Sequence, residues 1–263
     1  NKGGSFRKWY GNIAHILNWQ KGGHELANFK NSNGEIRSGI RNPQFFFKES
    51  MSWSDVTSSG NSFRYYPPGF ISDSTGPSAF PKTSERGRRQ IYNALSIANS
   101  NILSTLTRLI NPTMHFTSND FSKLPYITTP KEDIIVENVT ELVNIGIKDW
   151  NSYERSWNFK SFPLLSLGNN TSSIEFNYAS WIEQNKNIVD KMKRLEEENN
   201  RHFIDVNELT DELTPEIPIE EITLTINPAY RYGVGISEKA RISRFQRDTI
   251  VELLSYATGC IMG

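Results

Sequence analysis

The stretch RRQIYNALSIANSNILSTLTRLINP (residues 88–112) decides how the chain divides. Ile91, Leu95, Ala98, Ile102, Leu106 and Leu109 recur every three or four positions, the spacing that lines one face of an α-helix. Asn111-Pro112 ends that helix, because proline disfavours the α conformation in the residue before it. Downstream, MHFTSNDFSKLPYI (114–127) reads as a turn and a short strand. Upstream, the apolar runs AHILNW (14–19), QFFFKES (44–50) and FRYYPPGFIS (63–72) are separated by KGG (21–23), NSNG (31–34), SSGN (58–61) and DSTGPS (73–78). That rhythm predicts short strands joined by loops.

After Pro130 the pattern becomes helical and acidic. Ile135, Val139, Leu142, Val143, Gly146 and Trp150 mark one amphipathic helix, and the aromatic connector YERSWNFKSFPLL (153–165) follows it. Ile174, Tyr178, Trp181, Asn185, Ile188, Met192, Leu195, Asn199, His202 and Val206 then alternate at spacings of four and three, an apolar seam of the kind that pairs with another helix. Ser172 and Glu175 fit a capping box at its start, and Asn185, Asn199 and His202 interrupt it as polar residues that set register. A last helix is expected from Ser243. The fold class expected is α+β: short strands plus a helix over residues 1–128, then a helical part over 129–263 with one long amphipathic helix.

Composition narrows the function. The 263 residues have a mean hydropathy of −0.53 and a net charge of zero. The charge is unevenly placed: residues 1–130 hold 15 Lys+Arg against 7 Asp+Glu, a balance of +8, and residues 131–263 hold 14 against 22, a balance of −8. A basic half suits a polyanion. No apolar run approaches the roughly 20 residues of a membrane helix. The single Cys260 excludes an internal disulfide framework and a multi-cysteine zinc site, and suits a reducing, cytoplasmic setting. The chain opens on Asn1 and closes on Gly263 without a signal sequence or a charged tail, and so reads as a piece of a larger protein.

The sequence offers no set of groups for catalysis or for a metal. His15, His24, His115 and His202 share no motif, and neither HExxH nor CxxC occurs. Gly233-Val234-Gly235 is too short to cradle a phosphate, and Glu196-Glu197-Glu198 reads as a solvated charge run on the long helix. Tyr66-Pro67-Pro68-Gly69 is close to the acceptor-Pro-Pro-aromatic motif with which amino-methylating DNA enzymes hold a flipped base. Tyr66 lacks the amide or carboxylate acceptor and Gly69 has nothing to stack, so these residues read as a rigid turn.

Three stretches together resemble one family. NKGGSFRKWYGN running on to NW (1–19), FFFKESMSWSDVTSS with FRYYPPGFISDS (45–74), and IYNALSIANSNILSTLTRLINPTMHFTSNDFSKLPYI (91–127) are similar to the region after the catalytic domain in large adenine-specific DNA methyltransferases. These are the type IIG restriction-modification enzymes and their BREX-type, PglX-like phage-defence relatives. KRLEEENNRHFIDVNELTDELTP (193–215) and LLSYATGCIMG (253–263) extend the resemblance over nearly the whole chain. It implies a target recognition domain similar to those of type I specificity subunits, followed by a helical spacer. It implies double-stranded DNA, the upstream catalytic domain and partner subunits of a defence complex as partners. It places the S-adenosylmethionine motifs upstream, so no cofactor is expected in this chain and the chain alone is expected not to catalyse.

On that resemblance, KGGSFRKWYG lies where the recognition region meets DNA. Lys2, Arg7 and Lys8 would neutralise phosphates or read guanine, and Trp9 or Tyr10 would stack or wedge; the alternative is a hinge loop whose aromatics enter the core. In KESMSWSDVTSSGNSFR (48–64), Ser52, Ser54, Ser58 and Asn61 supply short hydrogen-bonding groups flanked by Lys48, Trp53 and Arg64. Arg86, Arg88 and Arg89 crowd a helix start, where a nearby phosphate would offset their clash with the helix dipole. Two other readings compete: a protein-interaction scaffold working through the acidic helical half, and a carbohydrate-binding module using exposed Trp53 and Tyr65.

Overall fold

The computed structural model describes the chain except residues 38, 59, 84, 112, 127, 128, 130 and 167–172. It is α+β, as expected. The periodic run over 88–112 is two helices rather than one, α2 (Gly87–Ala98) and α3 (Asn101–Ile110); α1 is the turn-like Gln20–Ala27. The break falls at Asn99-Ser100 for a local reason. Ser100 has extended backbone, and its hydroxyl accepts the Leu103 N–H as an N-cap, a role serine fills better than apolar residues. The Asn99 amide pairs in both directions with the Phe63 backbone, at 3.0 Å each way. Pro112, expected to stop the helix, lies outside the described residues.

The strands are shorter than the pattern predicts. β1 (Ser50–Ser52), β2 (Arg64–Tyr66) and β3 (Ser78–Ala79) form an antiparallel sheet in the order β2-β1-β3, with Met51 opposite both Tyr65 and Ala79. Residues 14–19 form no strand, and Pro43–Phe45 is a 3-10 turn. Trp9 adds a further rung beside β2: its N–H donates to Phe63 O at 2.9 Å and its carbonyl accepts from Tyr65 N at 2.8 Å. The strand expected after residue 114 is a single bridge, Val56 to His115, followed by α4 (Ser118–Ser122), whose Thr117 and Asp120 form a capping box.

The helical part holds the sheet. α2 packs on the sheet and on α5 (Glu132–Asn151); α5 in turn packs on α6 (Ile174–Val206), which also meets α3. The long helix has the extent its pattern predicts. Its cap is Ser173, which accepts from Phe176 N; Ser172, the expected cap, lies outside the described residues. Asn199 on α6 donates to Ser96 O of α2 at 2.8 Å, and Asn200 accepts the Asn101 N–H at 3.0 Å, so polar residues of this helix do set the register. α7 (Pro228–Tyr232) and α8 (Glu238–Met262) complete the chain.

Trp9, Trp53, Leu95, Leu142, Met192 and Leu224 belong to one continuous hydrophobic core. This core takes residues from both sides of position 128. Gly146 shows how closely the opening segment approaches α5: a Cβ there would sit 3.1 Å from the Tyr10 Cβ.

Candidate nucleic-acid interface

The opening stretch is inside the molecule. Arg7, Lys8 and Trp9 are buried. Arg7 donates from Nε to Tyr10 O at 2.8 Å, from Nη1 to Thr225 Oγ1 at 3.1 Å and from Nη2 to Asp149 Oδ2 at 2.6 Å. The Lys8 ammonium pairs with Glu196 Oε2, and the Trp9 indole N–H donates to Glu196 Oε1 at 2.8 Å. Burial pushes the Glu196 carboxyl above its ordinary range, against the smaller opposing pull of Lys8. These three side chains have spent their charge and donors on the protein itself, which corrects their assignment to DNA: a phosphate would have to displace a buried carboxylate.

The same correction applies to the centre of the second loop. Ser52 donates to Pro77 O at 2.6 Å, Ser54 to Gly4 O at 2.8 Å, and the Trp53 indole to Phe116 O at 2.8 Å. Trp53 also stacks on Phe121 with centroids 4.7 Å apart. Arg64 is fully buried and donates to the Ser54 hydroxyl, the Ser62 hydroxyl and Arg7 O. With Trp53 and Tyr65 both in the core, the aromatic platform of the carbohydrate reading is gone. Arg88 pairs with Glu49 at 2.6 Å, and Arg89 pairs with Glu132 at 2.8 Å and Asp133 at 2.6 Å. Those ion pairs, rather than an external phosphate, offset the cations at the start of α2.

The remaining candidates stay at the surface. Lys2, Lys48 and Arg86 are exposed and take part in no ion pair among the described residues. Ser58 and Asn61 line a polar groove of about 680 Å3 with Asn101, Ser104 and Arg108 of α3. Thr57 shapes the loop by donating to Gly60 O at 2.9 Å. The Asn61 Oδ1 is buried without a hydrogen-bond partner among the described residues, an acceptor waiting for a donor. Glu216 and Glu221 also line this groove. With Lys8 and Arg108 on the same lining, the groove offers both donors and acceptors, the mixture that base edges call for.

A basic arm escaped the sequence reading. Trp19 meets Phe46 and Phe47 edge-on, with centroids 5.4 and 5.7 Å apart, and Gly23 lies so close that a Cβ would sit 2.6 Å from the Trp19 ring. From this anchor a hairpin projects: Arg37 N donates to Phe29 O and Asn31 N to Glu35 O, each at 2.9 Å. Asn31 Oδ1 accepts from Asn33 N and Glu35 N across the tip. Lys21, Lys30, Arg37 and Arg41 are exposed on the arm without an ion pair among the described residues. The NSNG turn flanked by Phe29-Lys30 and Ile36-Arg37 was the signal for it.

No helix among the described residues is long and apolar enough to cross a membrane. No protein-family model matches the chain. Over its full length it is 32% identical to the adenine-specific methyltransferase BrxX of Escherichia coli O9:H4 (strain HS), and 33% identical to the adenine-specific methyltransferase PglX of Lacticaseibacillus casei (strain Zhang). It spans about a fifth (20%) of the length of each. Identity at this level over the whole chain, from the buried Arg7 segment to α8, places it with the BREX adenine-specific methyltransferases as a PglX-like C-terminal region.

Proposed function

We propose that this chain recognises double-stranded DNA, by sequence, on behalf of an adenine-specific DNA methyltransferase of a phage-defence system. The observation that carries the reading is the pairing of two unlike surfaces: an exposed basic hairpin arm, and a polar groove holding the unsatisfied Asn61 acceptor. The first suits phosphates and the second suits base edges. Methyl transfer and S-adenosylmethionine belong to the catalytic part of the longer polypeptide, a cytoplasmic enzyme. Fluorescence anisotropy of the full chain with a methylated-site duplex and a scrambled duplex, at stepped salt, tests this. Equal, salt-insensitive affinity for both would sink it.

A second reading has its own support. Val251, Leu254, Ile261 and Met262 are exposed apolar residues on α8, each more than half accessible. Such a patch suits docking on the catalytic part or on a partner subunit. Cross-linking within the full-length enzyme distinguishes the two: contacts from α8 to protein and from the arm to DNA mean that both hold.

A further inference from the structure

A second cavity, of about 570 Å3, is lined by Phe6, Trp150, Tyr153, Arg155, Tyr230 and Arg231. Its wall is a ladder of alternating guanidiniums and rings. Arg7 lies 5.1 Å and Arg155 4.4 Å from the Trp150 ring centroid; Arg155 is 5.7 Å and Arg231 5.9 Å from the Tyr153 ring. The outer two rungs have carboxylates: Asp149 takes Arg7 at 2.6 Å, and Arg231 has Glu252 at 2.6 Å and Asp248 at 3.9 Å. Arg155 donates to the Thr225 hydroxyl at 2.5 Å and has no ion pair among the described residues. Glu154 on the lining is exposed and accepts from the Ser255 hydroxyl at 2.9 Å.

Three polar atoms of this lining are buried without a hydrogen-bond partner among the described residues: the Tyr153 hydroxyl, Arg231 Nη1 and Glu252 Oε2. Each such atom is costly unless something pairs with it. The Tyr153 side chain is only 7% exposed, and burial holds its phenol well above the ordinary value, so it keeps its proton and can donate a hydrogen bond. Two unused donors and the unpaired Arg155 call for an acceptor-rich anion. The free Glu252 oxygen calls for a hydroxyl or amino donor on the same ligand. Half-buried Phe6 and Tyr230, joined by a 2.6 Å bond from the Tyr230 hydroxyl to the Phe6 carbonyl, add flat apolar surface. The volume is in the range of small-molecule sites.

We propose that this cavity binds a single nucleotide, with its phosphate on Arg155 and the Tyr153 hydroxyl, a sugar or base donor on Glu252, and its base against the aromatic lining. A free mononucleotide and a nucleotide extruded from a nucleic-acid strand share this chemistry. Nucleotide binding here is independent of duplex recognition by the arm and the groove. Loss of duplex binding with mononucleotide binding retained, or the reverse, separates the failure of one from that of the other.

The test is calorimetric titration of the full chain with AMP, GMP, CMP and TMP, with inorganic phosphate, and with a five-residue single-stranded oligonucleotide. Saturable binding of a mononucleotide is expected, weakened about tenfold or more by Arg155→Gln and by Tyr153→Phe, roughly the loss of one charge-assisted hydrogen bond. Sensitivity to Tyr153→Phe with the oligonucleotide alone assigns the site to an extruded nucleotide. Tyr153→Phe breaks no hydrogen bond among the described residues, so it should melt no lower than the parent; thermal melting of the variant checks that a loss of binding is not unfolding. Dissociation constants above about 1 mM for every ligand, binding indifferent to both substitutions, or inorganic phosphate binding as tightly as the nucleotides would overturn the proposal.

Discussion

Arg7 Nη2 and Asp149 Oδ2 lie 2.6 Å apart, 142 positions from each other in the chain, with both side chains almost entirely buried. Asp149 also accepts the Thr225 N–H at 2.9 Å and the Ile226 N–H at 3.1 Å. One carboxylate thus gathers the opening segment, the end of α5 and the loop before α7. Asp149→Ala leaves a buried guanidinium uncompensated and should destabilise the fold by about 3–5 kcal/mol. Urea unfolding followed by circular dichroism measures this, and a change below about 1 kcal/mol, the scale of an exposed pair, would count against a structural role.

Lys8 and Glu196 make a second buried pair, and here the double variant is the informative one. Lys8→Met combined with Glu196→Gln removes both charges while the glutamine carbonyl still accepts the Trp9 indole. It should cost less than either single change, because each single leaves one buried polar partner behind. A double-mutant cycle in urea reads the coupling; strict additivity would show the two sites to be independent.

The same carboxyl has a pH signature. Burial holds Glu196 above the ordinary 4.5, so the folded state binds that proton more tightly than the unfolded state. Stability therefore falls as the pH rises from about 4.5 through the folded value. Glu196→Gln should flatten that portion of the stability–pH curve. An identical decline in the variant would assign it to another group.

Exposed cations of the arm carry a salt prediction. Lys30→Ala and Arg37→Ala should each lower the slope of log affinity against log salt by about one unit for each phosphate the side chain neutralises, equally for cognate and scrambled duplexes. Unchanged slopes in both variants would remove the arm from the DNA surface.

Asn61 should behave differently. Asn61→Ala deletes a groove acceptor that has no partner among the described residues, so the fold should be unaffected while discrimination falls by about 1–3 kcal/mol on the true site. Competition anisotropy with single-base-pair variants of that site shows it. A uniform drop in affinity on every duplex would make the residue a positioning group instead.

Much of the fold could be read from periodicity, because the helices bury one face along their length. Trp181, Met192 and Leu195 of the expected α6 seam are buried, whereas Ile174 and Val206 at its ends are exposed. The pattern cannot tell where the neighbouring helix stops. Glu196 shows a deeper limit. Within a run of three glutamates it looks solvated, yet it is 2% exposed, because its partners Lys8 and Trp9 come from the far end of the chain. For the same reason Arg7 and Arg64 looked like DNA-binding groups: a cation next to glycines and serines looks alike whether its partner is a phosphate, a distant aspartate as for Arg7, or buried hydroxyls and a carbonyl as for Arg64. Ser58 and Asn61 needed only local loop chemistry to be noticed, and those two remain on the groove.

The insertion of residues 7–9 between elements far along the chain also has a consequence during synthesis. Arg7 bonds to Thr225, 218 residues later. At about 5–20 residues per second, roughly 10–40 s elapse between the emergence of the two. Through that interval the Arg7 guanidinium, destined for the interior, has yet to gain its full set of buried partners. Residues 7 and 8 are thus among the last to complete their contacts, which wait until α5, α6 and the loop before α7 have left the ribosome.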